Sequence, residues 1–309
     1  MGRHVRLTLR QLQIFGAVAQ SGSTTAAAAT LALSQSATSA ALNELERVLG
    51  VPLFDRVGRR LLLNESGRAL LPSARALLDG ARTVEDGFRL GRAGTRLDLR
   101  IAASTTIGNY VLPPLLPGFR TAAPDAQLHV RIGNTLEVAT AVESFEADLG
   151  LIEGPCHAAD LRVIPWLDDE LTLVAAPTHP LALAAGQGRL SLRDLEAAGW
   201  LLREPGSGTR EAVEQALVPH LSHLRPQMTL GSSEAIKNAV ALGLGVSCLS
   251  KSVVQDFLDA GRLVVLRSTL PRLSRRFSIV HHRQKMLSNA LNLLITALQR
   301  GGSPAASPP

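Results

Sequence analysis

Aromatic residues are scarce: one Tyr, two Trp and seven Phe in 309 residues. Platforms on which single-stranded bases stack need several exposed rings, so that mode of nucleic-acid binding is excluded. Cysteine is scarcer. Cys156 and Cys248 stand far apart, with no CxxC and no histidine at zinc-ligand spacing. A disulfide framework and a zinc finger are therefore excluded, and the pair read as reduced structural thiols rather than a redox switch. No apolar run approaches the roughly 20 residues of a membrane span. Met1-Gly2-Arg3-His4-Val5-Arg6 leads straight into an amphipathic helix rather than a secretion signal. A cytoplasmic protein without a membrane segment is expected. GxxxxGK[ST], GxSxG and HExxH are also missing, which argues against the commoner hydrolytic and nucleotide chemistries.

Charge is present but unevenly spread. Residues 1–96 hold 13 Arg against 7 Asp and Glu, whereas residues 97–309 hold 19 cations against 19 carboxylates. The whole net charge of +6 thus lies in the first third. A basic module on a neutral body suits a double-stranded DNA reader attached to a sensor.

The stretch from Ser23 to Glu46 gives that module a form. Ser23 can cap a short helix with Ala27, Ala28 and Leu31 inside. Ser34 can cap a second, with Ala37, Ala41 or Leu42, and Leu45 inside. Ala32-Leu33 between them leaves room only for a steep crossing: a helix-turn-helix, or an alanine-rich hairpin with a solvated polar face. Gln35, Ser36, Thr38, Ser39 and Asn43 fall where a recognition helix reaches base edges. Upstream, Thr8 and Gln11 have capping-box spacing, followed by an apolar stripe to Gln20. Downstream, Asp55-Arg56-Val57-Gly58-Arg59-Arg60 forms a glycine turn tipped with arginines between β-prone runs. It reads as a wing that offers Arg56, Arg59 and Arg60 to phosphates.

Gln-Leu-Gln-Ile-Phe, Ser-Gln-Ser-Ala and Leu-Gly-Val-Pro-Leu-Phe-Asp-Arg, at their spacing over residues 8–67, resemble the DNA-binding region of LysR-type transcriptional regulators. Later segments extend the resemblance over nearly the whole chain. Four positions depart from the family pattern: Thr24 stands where an aromatic is common, and Ala26, Thr30 and Ala40 stand where arginines are frequent. The recognition helix then carries no cation before Arg47, and phosphate attraction must lean on the wing and on the arginines before residue 11.

Gly67 to about Arg92 predicts one long helix. Leu70, Ala74, Leu77, Ala81, Val84 and Phe88 follow a heptad seam. The seam packs either on its own domain or on its copy in a second subunit. The resemblance favours the copy, and implies dimers joined through this linker and paired into tetramers. Pro72 should kink the helix or shorten its first turn. Gly91 to Arg96 reads as a hinge.

From Leu97 the apolar period shortens to two and then alternates with helical stretches, which predicts an α/β sheet with parallel pairing. Two such series imply two lobes and a cleft. The resemblance gives the fold: an all-α winged helix-turn-helix with a long linker helix, then a two-lobed α/β effector domain like type 2 periplasmic binding proteins. The expected divisions are 1–66, 67–96 and 97–300, with a disordered tail over 301–309. Lobe one covers about 97–166 and 270–300, and lobe two about 168–267.

Ligands in such sheets sit beyond strand C-termini, beside helix N-termini. Ser104, Thr105 and Thr106 follow the first strand of lobe one, and Thr135 its second. Ser207, Gly208, Thr209 and Arg210 open a helix in lobe two. Each could be a plain cap. Together they form a candidate site for a small anion held by hydroxyls and N–H groups. The segments 149–155, 203–210 and 231–238 are similar to family members concerned with sulfur or inorganic-carbon assimilation, which makes sulfite or sulfate the first effector to consider. No cofactor or metal is expected. The other functional class is a two-lobed enzyme acting on a small anion and fused to a DNA-binding module. His281 and His282 are structural, with one of the two facing outward.

Overall fold

The computed structural model describes residues 5–58, 60–89, 97–186 and 190–301. Contacts divide the chain into two units, residues 1–95 with 284–288, and residues 96–283 with 289–309.

In the first unit, α1 (Leu9–Ser21), α2 (Thr24–Thr30) and α3 (Gln35–Leu49) precede a hairpin of β1 (Phe54–Val57) and β2 (Arg60–Leu63), then α4 (Glu65–Arg89). The starts are set by side chains. Thr8 and Gln11 form a reciprocal capping box at α1, Ser23 caps α2, and Ser34 accepts from Ala37 N at 3.1 Å. The link between α2 and α3 is so tight that Ala32 adopts φ 52°. Leu12, Phe15, Val18, Ala27, Leu42, Leu45, Leu53 and Ala74 form the core. On α3 the inward positions are Thr38, Leu42 and Leu45, whereas Ala37 is exposed. Leu42 and Leu45 thus point inward as the sequence predicts, and at the start of the stripe Thr38 takes the place expected of Ala37. Gly67 lies so close to the Leu53 carbonyl that a Cβ would collide with it.

Helix α4 runs through Pro72 without a break in its assignment. Its stripe is divided. Leu70, Leu71, Ala74 and Leu78 pack on the core of the first unit, whereas Leu77 and Val84 are 54% and 51% exposed. Lys285 Nζ and Asp79 Oδ1 meet at 2.6 Å within the same unit, both buried. The hinge expected at 91–96 lies outside the described residues; of the tail expected at 301–309, Gly301 ends the last helix and 302–309 lie outside the described residues.

The second unit begins with β3 (Leu97–Ser104), a π turn (Ile107–Val111), a 3-10 turn (Pro113–Leu115), α5 (Leu116–Ala122), β4 (Ala126–Gly133), α6 (Thr135–Glu143) and β5 (Leu149–Glu153). It continues through β6 (Leu161–Ala175), α7 (Pro180–Ala185), α8 (Leu192–Glu196), β7 (Trp200–Arg203), α9 (Gly208–Leu221), β8 (Pro226–Leu230), α10 (Ser233–Ala241), β9 (Ser247–Ser250) and α11 (Lys251–Asp259). Strands β10 (Val264–Val265) and β11 (Leu273–His282) and helix α12 (Asn289–Gly301) close it.

Among the described residues, one sheet has the order β10-β6-β11-β5-β3-β4, with β9 also on β6. Strand β3 is parallel to β4 and β5, as α/β alternation requires, but β11 runs antiparallel to both β5 and β6. The expected parallel pairing thus holds for β3 with β4 and β5, and the antiparallel β11 adds to it. The cause is topological: β6 and β11 are long strands that pass between two apolar clusters rather than members of a βαβ series. Strand β6 starts at Leu161 and carries Asp168, Asp169 and Glu170 in its middle. Cores form separately around Val138, Val142 and Ile152, and around Trp200, Leu202 and Val213. His281 and His282 are both buried, at 5% and 6% exposure, and the His282 ring lies 4.3 Å from that of Phe145. The expectation that one would face outward fails because β11 is an inner strand covered on both faces.

Candidate functional site

Two surfaces carry the predicted residues. The first is the N-terminal end of α3 with the β1–β2 hairpin. Gln35, Ser36 and Asn43 are exposed and Ser39 half-exposed. The Gln35 amide donates to Ser39 Oγ at 3.0 Å and Thr24 Oγ1 at 3.4 Å, so its position is set locally. Thr38 is a correction: it is fully buried, and its hydroxyl donates to the Ser34 carbonyl at 3.0 Å. It holds the first turn of α3 and cannot reach a base. Arg56 and Arg60 are exposed on the hairpin, with Arg56 opposite Leu61 and Val57 opposite Arg60. Arg59 lies outside the described residues. Arg47, the one arginine of α3, is taken by Glu44 at 2.5 Å. Arg56, Arg60, Arg6 and Arg10 are exposed cations of the first unit.

The second surface is the junction of the two series in the second unit. Glu153, at the end of β5, is 1% exposed. Its carboxylate accepts from Thr106 N at 2.7 Å, Thr209 Oγ1 at 2.8 Å and Arg275 Nη1 at 2.6 Å. Arg275, equally buried, also donates to Thr209 Oγ1, Thr106 Oγ1 and Asp169. Ser250 donates to Asp169 at 2.6 Å. Burial would raise the Glu153 carboxyl, but the Arg275 charge, the Thr209 hydroxyl and the Thr106 N–H outweigh it and hold the group below its ordinary value. At Asp169 burial wins over Arg275 and Ser250, and the carboxyl is shifted up. Thr135 Oγ1 donates to the Glu153 carbonyl at 3.1 Å, and Gly208 is pressed against the same carbonyl, where a Cβ would collide. Only glycine fits there.

Of the predicted ring, Thr106 and Thr209 therefore converge on the Glu153 carboxylate, and Thr135 and Gly208 on the backbone carbonyl of the same residue. Ser207 is buried and caps α9. Ser104 Oγ is buried beside Glu153 without a hydrogen bond of ordinary geometry. Arg210 faces away, pairing with Glu214 at 2.8 Å and donating to the Arg203 carbonyl. Thr105 accepts from a second buried guanidinium. Arg203, 2% exposed, sends Nη1 to Thr105 Oγ1 at 2.8 Å and to Ser233 Oγ at 2.9 Å. Its Nε and Nη2 hold the Glu204 carboxylate, both at 2.8 Å.

Sequence reasoning missed Arg275, Asp169 and Ser233. A signal existed for the first. Leu273, Arg275 and Phe277 share one strand face, so a period of two places the arginine inside. Such a buried guanidinium requires carboxylate partners. Cys248 is buried and its thiol is pushed up to about 12, so it is no nucleophile at neutral pH.

Residues 9–68 match the family "Bacterial regulatory helix-turn-helix protein, lysR family", and residues 92–303 match "LysR substrate binding domain". The HTH-type transcriptional regulator YeiE of Escherichia coli (strain K12) is 52% identical over 287 residues, 93% of this chain and 95% of the relative. A full-length OxyR variant of Pseudomonas aeruginosa superposes with a TM-score of 0.74 at 25% identity, over 96% of this chain and 95% of that one. The Synechocystis PCC6803 CcmR regulatory domain in complex with 2-PG gives 0.61 at 29% identity, over 68% of this chain and 99% of that one. No helix among the described residues is long and apolar enough to cross a membrane.

Proposed function

The chain belongs to the LysR family of DNA-binding transcriptional regulators with a domain for a small-molecule effector, and from that premise we propose that its effector is a small oxyanion or carboxylate, sulfite or sulfate first, bound between the lobes. Members of the family are regulators, not enzymes, which removes the alternative of a fused enzyme. The observation that carries the anion reading is Arg203. A guanidinium 2% exposed, flanked by the hydroxyls of Thr105 and Ser233 from opposite sides of the cleft, is a built receptor for one small anion. The groups assigned to the ligand are Thr105, Arg203 and Ser233, with Ser104 and Ser207 at the margin. Thr106, Thr135, Gly208 and Thr209 support them through Glu153. The 2-PG complex of the Synechocystis domain supports a small ligand in this class of domain.

On the DNA side, Gln35, Ser36, Ser39 and Asn43 read bases, while Arg56, Arg59 and Arg60 meet phosphates. The protein works in the cytoplasm as a homodimer joined through α4, paired into a tetramer. Calorimetric titration of sulfite, sulfate and small carboxylates tests the effector reading. At least one should bind the parent, and Thr105→Val should weaken it while leaving ligand-free DNA affinity unchanged. Should Thr105→Val bind every anion as the parent does, the cleft is not the site.

A further inference from the structure

The cation that would receive the effector is already occupied. Arg203 spends Nε and Nη2 on the carboxylate of its neighbour Glu204, both at 2.8 Å. The two partners differ in exposure: the Arg203 side chain is 2% exposed and the Glu204 side chain 24%. The arginine is fixed by Thr105 and Ser233, whereas the glutamate can leave toward water. Burial would raise the Glu204 carboxyl, but the hydrogen bonds from Arg203 outweigh it, with the Asn134 amide adding to them, so it is ionised at neutral pH. The other guanidinium at the junction, Arg275, is closed off by two carboxylates, Glu153 at 2.6 Å and Asp169 at 2.7 Å, which are themselves buried. Of these two guanidinium groups, an incoming anion therefore finds Arg203 the one whose counter-ion can be moved.

We infer that Glu204 is a built-in competitor of the effector: its carboxylate neutralises Arg203 in the empty cleft, and an anion binds by displacing it. The inference rests on the anion reading of the cleft. It makes Glu204 a residue that sets affinity and excludes uncharged molecules. A neutral molecule cannot replace a carboxylate on a buried guanidinium without leaving that charge unpaired. An anion replaces it charge for charge, while Glu204 gains its hydration.

Glu204→Gln keeps the shape and removes the charge. Titrated with sulfate by calorimetry on the full chain, it should bind about tenfold more tightly than the parent, the scale of one charge-assisted contact. Dimethyl sulfone, a neutral molecule of similar shape, should gain nothing. Glu204→Ser, which removes the carboxylate with a different shape, should reproduce the gain. A purely structural role would make both variants bind more weakly. Sulfate binding to the variants but not to the parent supports the competitor. Equal or weaker binding by folded variants, with the parent still dependent on Thr105, overturns the competitor and leaves the anion reading standing. No anion bound by any of the three overturns the anion reading, and this inference with it.

Discussion

A single carboxylate decides how the effector unit holds together. Glu153 receives three donors, from the turn after β3, from α9 and from β11. Its depressed pKa means that its contribution to stability is present above the ordinary value of 4.5 and is lost as pH falls through the lower folded value. Asp169 has the opposite sign: its raised pKa makes its contribution greatest in acid and lost as pH rises through the folded value. Glu153→Gln leaves Arg275 short of one carboxylate and should cost about 3 kcal/mol or more at pH 7. The gap to the parent should narrow below pH 4.5. Urea unfolding followed by tryptophan fluorescence measures this unit specifically, since Trp166 and Trp200 both lie in it. A gap unchanged with pH would show that Glu153 is not the titrating group. At the same scale, Gln35→Ala should lose about 1–3 kcal/mol on the cognate DNA site and little on random DNA. Equal losses on both would mean a backbone contact.

Elements divide the labour on the DNA side. Helix α3 presents hydroxyls and amides but has its one arginine neutralised by Glu44. Phosphate attraction then leans on the hairpin together with Arg6 and Arg10. Arg56→Ala combined with Arg60→Ala should weaken cognate and random DNA alike and flatten the salt dependence by up to about two phosphate contacts. An unchanged slope from fluorescence anisotropy at several salt concentrations would remove the wing from the interface. Helix α4 uses its stripe twice. Leu70, Ala74 and Leu78 belong to the core of the first unit, whereas Leu77 and Val84 remain exposed on the same helix. Leu77→Glu should therefore spare the fold, shift the chain toward monomer in light scattering, and cost DNA affinity without touching the reader. A parent protein that is monomeric at micromolar concentration would defeat this assignment.

At the scale of the whole molecule, an effector regulates only if it binds one conformation better than another. Ligation at Arg203 touches β7, the turn after β3 and α10 together, so it can bias the angle between the lobes. Coupling of about 1–3 kcal/mol, roughly 5–150-fold in affinity, suffices. DNA binding and footprints with and without the best anion should differ by that factor or in half-site spacing. Identical affinity and footprints would mean that the bound anion is not the effector.

The sequence by itself determined the reader and the architecture. Capping serines at 23 and 34, the two-residue turn, the arginine-tipped wing and the basic first third are local features, and local sterics and hydrogen bonding express them directly. The succession of elements in the second half was legible for the same reason, because apolar period tracks secondary structure. Only tertiary structure decided what the cleft residues do. Thr106 and Thr209 read as ligand hydroxyls, yet both are engaged by Glu153 and Arg275, which stand far from them in sequence. Thr38 read as a base contact, yet helix phase turns it into the core. Arg203 is directed to Thr105 and Ser233, whereas Arg210, on the next helix, pairs with Glu214. Periodicity reports which face a residue occupies. Which charges meet across a junction depends on the order in which long antiparallel strands pack, and a buried guanidinium selects its partners only when that packing exists.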